Sequence, residues 1–376
     1  MQVKVIASLA QVAAQDWNRL LVDAYPFLRH EYLSALERSG AASLATGWQA
    51  RHLLVLQGES LIAALPMYQK QHSWGEYVFD QQWALAHERY GLEYYPKWLT
   101  AIPFTPCLGP RLLIAPEVDA RLIWNLVLDH VRAQAISSWH CLFPDAVQLG
   151  MLREMQLIVR HDVQFQWFNR GYKDFDDYLQ ALNASKRKMI KKERRRVTEQ
   201  GIDMLQIAGT EATPEQWHVA FQFYSMTYYK RRREPYLSES FFRQIAKEMA
   251  ESCILVFAVK DAAYVGAALF FVGSDCLYGR FWGCREEYDV LHFEACYYQG
   301  LEFCIQQGLQ RFDSGAQGEH KIARGFEPIL TQSAHWIKDP RFARLIADFT
   351  EREKQHVLKY QTDAARLLPF KQTTAT

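Results

Sequence analysis

The chain has 376 residues, 49% hydrophobic and 14% aromatic, too long for one ordinary core and enough apolar material for two domains. A formal net charge of +1 excludes a whole-molecule attraction to nucleic acid or anionic membrane, so any such preference has to come from a local patch. Seven cysteines, an odd set without a CxxC pair and placed in apolar segments such as FEACYYQGLEFC, exclude a disulfide scaffold and read as reduced thiols of a cytoplasmic protein.

The start, MQVKVIASLAQVAAQDW, reads as a strand entering a helix rather than as a signal peptide, because Gln11 interrupts a short apolar run. No apolar run reaches the length needed to span a bilayer. Residues 51–80, RHLLVLQGESLIAALPMYQKQHSWGEYVFD, then show two apolar runs around a polar turn at Gln57-Gly58-Glu59, followed by an aromatic third segment. An amphipathic helix (VDARLIWNLVLDHVRAQ) and a short strand (SSWHCLF) come next. The same order returns at 252–283, SCILVFAVKDAAYVGAALFFVGSDCLYGRFWG, with its turn at Lys260-Asp261, followed by HFEACYYQGLEFCIQQG and LQRFDSG. Helix, hairpin, third strand, helix and strand are thus written twice.

Between the copies, QFQWFNRGY reads as a strand closing the first. FDDYLQALNASKRKMIKKERRRVTEQGIDMLQI reads as a helix, a strongly basic helix stopped at Gly201, and a strand. Thr213 is a helix N-cap, with Pro214 at the first helical position. From Pro340 onward RFARLIADFTEREKQHVLKYQ forms a long helix. The domains expected are 1–168 and 169–339, with the helix 340–365 packing back on the first.

Several blocks carry a family likeness: HEYLSALE, PMYQKQHSWGEYVFD, YYPKW, PFTPCLGPRLL, KRKMIKKERR, PYLSESFF, LYGRFWG, LHFEACYYQG and GAQGEHKIARGFEP. Over nearly the whole chain they resemble predicted bacterial N-acyltransferases related to the Fem-type peptidoglycan aminoacyltransferases, within the GNAT superfamily. The resemblance implies an α+β fold of two tandem GNAT-like units, each a mostly antiparallel, splayed sheet flanked by helices. It also implies acyl or aminoacyl transfer to an amine, as in the modification of a cell-wall precursor. The donor is an acyl-CoA or an aminoacyl-tRNA, and fold analogy does not choose between them. The rival reading is a non-catalytic GNAT-like module that binds a peptidoglycan precursor or RNA.

Candidate site residues fall in four places. In GAQGEHKIARGFEP, Gly315 and Gly318 free the backbone to approach a ligand, and Glu319 or His320 can take the proton of an attacking amine. Lys321 and Arg324 are expected to hold an anionic group. In the first half Lys70, His72, Glu76, Tyr77 and Asp80 form a cluster suited to a charged acceptor, and an extended backbone there would put Glu76 and Tyr77 on opposite faces. In LYGRFWG, strict alternation puts Tyr278, Arg280 and Trp282 on one face of a strand, with His292 at the following helix start. Arg187, Lys191, Arg194 and Arg195 recur at helical spacing, a positive face for phosphate or RNA. The expected active cleft lies between the two units. GCREEYDVLHFEA carries Glu286, Glu287, Asp289 and Glu294 where a CoA-binding unit presents a basic, glycine-rich turn; in the first half only Gly109 and Arg111 are available for such a role. There is no HExxH, no zinc-type Cys/His spacing and no GxSxG. No metal is expected.

Overall fold

The computed structural model describes residues 1–316 and 318–371. The chain divides into Met1–Asp162 with Leu330–Lys359, and Val163–Ile329 with Tyr360 onward. Its strands, in chain order, are β1 (Gln2–Ile6), β2 (Trp48–Ala50), β3 (His52–Gln57), β4 (Ser60–Leu65), β5 (Tyr68–Lys70), β6 (Lys97–Thr100), β7 (Leu113–Ile114) and β8 (Ser138–Leu142). There follow β9 (Ile158–Phe168), β10 (Asp203–Ala208), β11 (Cys253–Lys260), β12 (Ala263–Val272), β13 (Cys276–Cys284), β14 (Arg311–Asp313) and β15 (Glu327–Ile337).

In the first unit β1, β3, β4 and β7 form an antiparallel sheet. A second set runs β2-β5-β6-β8-β15, antiparallel except that β6 and β8 are parallel. The helix Ala120–Arg132 starts where Asp119 caps the Arg121 N–H, and it buries Ile123, Trp124, Val127 and Val131 against Leu53, Val55 and Trp139. A parallel neighbour needs such a crossover, and this helix leads directly to β8. Phe342 and Ile346, early in the helix Pro340–Ala365, pack with Trp83 and Tyr94.

The second unit repeats the plan. Strands β10, β11, β12 and β13 are antiparallel, β13 and β14 are parallel, and β14 pairs antiparallel with the last residues of β9. The crossover from β13 to β14 is the helical run Leu291–Phe293, Glu294–Tyr298 and Gln299–Gln307, of which Glu294–Tyr298 is a π-helical turn. Its core gathers Trp167, Tyr178, Ile190, Phe270, Phe312 and Phe326. The hairpin turns fall where the sequence places them: Gln57 pairs with Ser60 and Lys260 with Ala263, each across two residues. Thr213 caps Pro214–Tyr229 in a full capping box with Gln216. The fold is therefore α+β with tandem GNAT-like units.

One alternation pattern is corrected. Leu269 faces Phe281 and Phe270 faces Gly279, so Arg280 is an unopposed bulge residue in β13. A bulge reverses which face later residues occupy. Tyr278 therefore shares a face with Phe281, while Trp282 lies on the other, 5.9 Å from the His292 ring. Phe281 meets Tyr224 at 4.9 Å and Phe242 at 5.6 Å, on the side covered by the helix Pro214–Tyr229. That helix passes so close that a Cβ on Gly283 would lie 1.7 Å from the Phe223 carbonyl oxygen. Gly283→Ala is expected to lift the helix and cost about 1–3 kcal/mol, the range for overpacking. Urea titration measures it; a loss under about 0.5 kcal/mol would mean the helix is not held at this distance.

Candidate functional site

The shape of the second unit follows from how briefly β13 and β14 stay together. They pair through Cys276–Arg311, Leu277–Phe312 and Tyr278–Asp313 and then part. Beyond that point no strand pairs with the far edge of Gly279–Cys284 among the described residues. The chain leaves β14 through Ser314 and Gly315, and a Cβ on Gly315, where φ is +95°, would stand 3.8 Å from the Gly279 carbonyl. A splayed strand pair bordered by a glycine exit leaves room for a polarised carbonyl or an anion to approach the backbone.

The segment after this exit forms a short 3-10 turn, Glu319–Arg324. His320 accepts or donates through Nε2 to the Tyr297 hydroxyl at 2.8 Å, and its ring lies 5.4 Å from Phe293 and 6.2 Å from His292. Burial and the Arg324 and Lys321 charges lower its pKa, which keeps the ring neutral and able to accept a proton. Its Nδ1 has no hydrogen-bond partner among the described residues. Gly318 sits against this ring with φ +120°, and a Cβ there would come within 2.4 Å of His320 Cε1. Glycine at 318 therefore has a specific duty, to seat the imidazole. Glu319 points elsewhere: it is exposed and accepts a 2.7 Å hydrogen bond from Tyr360. Of the two proton acceptors expected from the sequence, only His320 joins the cluster.

Lys321 is buried, and its Nζ donates to the Gly315 carbonyl at 2.5 Å. Burial lowers its pKa to about 8. The consequence for stability has a definite sign. Between pH 8 and 10.5 the unfolded lysine still holds its proton while the folded one has lost it, so stability rises with pH across that window. The shift corresponds to about 3 kcal/mol. Lys321→Met is expected to remove its share of the rise and leave the part due to Lys70, which burial also lowers, to about 7. A slope between pH 8 and 10 in urea unfolding that is the same in variant and wild type would contradict the burial of this amine.

Arg324 is not an open anion clamp. Nη2 binds both Glu193 oxygens at 2.8 Å, Nε donates to the Tyr298 hydroxyl at 2.8 Å, and Nη1 donates to the His320 carbonyl at 2.8 Å. Tyr298 in turn donates to Glu193. The guanidinium also stacks 3.6 Å from the Phe293 ring centroid. It is a saturated tie that fixes the turn carrying His320. Glu193 comes from the helix Ala184–Glu199, and nothing in the sequence singled it out. His292 lies beside the turn, with its pKa pushed down to about 4, by burial first and then by the neighbouring His320, Lys321 and Arg324 charges.

The basic helix, expected to present one positive face, divides its charges. Arg194 turns inward to Glu294 and Glu302, at 3.1 and 2.9 Å. Lys191 and Arg195 are exposed, with surface partners Asp176 and Glu199, and Arg187 donates to Gln180. Such surface pairs are weak and exchange readily for a phosphate. Glu294, one of the four carboxylates of the connection before the crossover helix, is buried against Arg194, while Glu286, Glu287 and Asp289 stay exposed.

In the first unit, residues 71–80 are not extended: Tyr77 has φ +60° in an irregular, half-buried turn, so no two-face alternation applies to Glu76 and Tyr77. Glu76 and Asp80 instead converge on Lys97, whose amine donates to them at 2.8 and 2.5 Å and to Ser73 at 2.8 Å. All three ionisable groups are buried. Two carboxylates hold Lys97 charged, its pKa raised despite burial. Asp80, opposed by burial but held by Lys97, is kept well below the usual carboxylate range, while burial pushes Glu76 up to about 7. Lys70 lies 3.6 Å over the Trp48 ring, donates to the Trp74 carbonyl, and is lowered by burial to about 7. His72 accepts from the Trp74 N–H through Nδ1 at 3.2 Å. The cluster is an enclosed network, not an open acceptor site. Arg111 is likewise no ligand arm: fully buried, it donates to the carbonyls of Cys107, Gly109, Pro110 and Leu142.

Among the described residues no group of His, Cys, Asp and Glu could hold a metal ion, and no helix is long and apolar enough to cross a membrane. Comparison with known proteins adds family and fold. A family model for FemAB-like proteins, described as peptidoglycan biosynthesis/recognition, matches residues 8–372. No curated protein matches. Among solved structures, FemX superposes with a TM-score of 0.52 at 11% identity, covering 92% of this chain and all of its own. A conserved protein of unknown function from Bacteroides thetaiotaomicron VPI-5482 gives 0.55 at 7% identity, covering 90% and 100%. At such identities the likeness concerns the fold.

Proposed function

Because the chain belongs to the FemAB-like family, we propose that it is an N-acyl- or aminoacyltransferase that moves an acyl or aminoacyl group onto an amine, with a peptidoglycan precursor as the acceptor. The observation that carries this reading is the parting of β13 and β14 beside His320, with Gly315 and Lys321 at the same opening. Amides along Gly279–Cys284 steady the oxygen of the reacting carbonyl, a role that fixed backbone dipoles fill well. The acceptor nitrogen attacks the carbonyl carbon of the bound ester or thioester. As the N–C bond forms, the C–O or C–S bond to the donor breaks. His320 Nδ1 takes the proton the nitrogen must lose and passes it to the leaving oxygen or sulfur.

The residues present do not fit a diphosphate at the start of the crossover helix. Glu286, Glu287 and Asp289 are exposed in the connection leading to it, and carboxylates repel such a group. This favours an aminoacyl ester over a CoA thioester as donor, with Lys191 and Arg195 able to exchange their exposed partners Asp176 and Glu199 for phosphates along the basic helix. A thermal-shift screen with acetyl-CoA, longer acyl-CoAs, charged tRNA and uridine-linked muropeptides tests the reading, since a ligand of the folded state raises the melting temperature. A shift with charged tRNA and with a muropeptide is expected. Silence from every donor would overturn it.

A further inference from the structure

A second set of reactive groups lies in the first unit, in a different unit from the β13–β14 opening. Strands β8 and β15 set His140 directly opposite His335, and the two rings meet Nδ1 to Nδ1 at 2.6 Å. His335 Nε2 lies 2.8 Å from the Ser333 hydroxyl, on the same face of β15. On the other side, His140 Nε2 lies 3.2 Å from the Tyr94 hydroxyl and 2.8 Å from Ser138. Tyr94 donates to Asp80 at 2.6 Å, and Asp80 is fixed by Lys97. Ser333 lines a cleft of about 240 Å³ whose walls include Phe79, Phe143, Arg160, His161 and Thr331.

From this geometry we propose that Ser333 is a nucleophile and His335 its general base, giving the first unit an acyl-serine chemistry toward small esters or thioesters that enter the cleft. The tautomers that leave the Ser333 proton an acceptor put one proton on His335 Nδ1 and one on His140 Nε2. With that assignment every donor points the same way: Ser333 to His335, His335 to His140, His140 to Tyr94, Tyr94 to the ionised Asp80. The arrangement is a serine–histidine pair oriented by an acidic group, extended by two side chains.

The step balances. Ser333 Oγ forms a bond to the acyl carbon as the bond to the leaving alcohol or thiol breaks. Its proton goes to His335 Nε2, and His335 hands its Nδ1 proton to His140. The positive charge then rests on the ring that is tied through Tyr94 to the Asp80 carboxylate. Burial disfavours a charge on either ring, lowering His335 to about 3 and His140 well below its usual range, so the Asp80 carboxylate reached through Tyr94 is the group that offsets the charge on His140. The relay returns a proton to the leaving group, and water releases the acid by the same route. Arg160 forms part of the cleft wall, tied to Glu353 at 2.7 and 2.8 Å and to the Phe79 carbonyl at 2.6 Å.

The test is labelling of the full-length protein by a fluorophosphonate probe, which loses fluoride to an activated serine oxygen. Peptide mapping is expected to place the label on Ser333, and Ser333→Ala, a small change in a buried site, is expected to lose it while melting as a folded protein. His335→Gln should slow labelling about 100-fold, the scale of a general base. His320→Ala in the other unit should leave it unchanged, which separates this proposal from the transferase reading. A folded wild-type protein that takes no label, or label that persists in Ser333→Ala, would overturn it.

Discussion

Replacing Lys97 with methionine will destabilise the protein by about 3–5 kcal/mol, the cost of removing one partner from a buried ion pair. The reason lies in what is left behind. Glu76 and Asp80 are both buried, and without the amine 2.8 and 2.5 Å away two carboxylates would share a dry pocket. Each would take up a proton to escape that cost, so its folded pKa would climb above the unfolded value. A folded state that binds more protons than the unfolded one loses stability as pH rises. The deficit of Lys97→Met should therefore shrink at pH 5 and widen at pH 8. Urea unfolding at both values checks this; a loss below 1 kcal/mol, or one independent of pH, would show that Lys97 does not hold these carboxylates.

Replacing His320 with alanine is expected to lower the rate of acyl transfer about 10²- to 10⁴-fold, the usual contribution of a general base, with donor and acceptor affinity changed little. Arg324, Glu193 and Tyr298 hold the turn without help from the imidazole, so the fold should survive. Glu319→Gln, by contrast, removes only a partner of Tyr360 on an exposed face and should leave the rate within about twofold, as surface changes remote from the chemistry do. Equal losses in the two variants would mean that the proton acceptor lies elsewhere.

Much of the architecture can be read from the residues. Turns such as Gln57-Gly58-Glu59 and Lys260-Asp261, the cap at Thr213, and the doubled order of hairpin, helix and strand all depend on local chemistry, which sequence records directly. What escaped was long-range. The bulge at Arg280 is a single extra residue set against β12, and strict alternation places Trp282 on the wrong face. Nothing local marks Lys97, because its carboxylates stand 21 and 17 positions earlier. His140 and His335 are 195 residues apart, and only the pairing of β8 with β15 joins them. Arg324 carried the right charge for an anion site, but Glu193, 131 positions away, already occupies it. A basic residue three positions from Lys321 does not reveal whether its partner is a ligand or the protein itself.

The β13–β14 opening is tested most directly by backbone hydrogen exchange of the full chain, with and without the donor that raises its melting temperature. Slower exchange is expected in Gly279–Cys284 and across residues 318–324, where amides and the His320 turn would close on the acyl group. Protection confined to other segments, with these two unchanged, would contradict the placement of the reaction in the second unit.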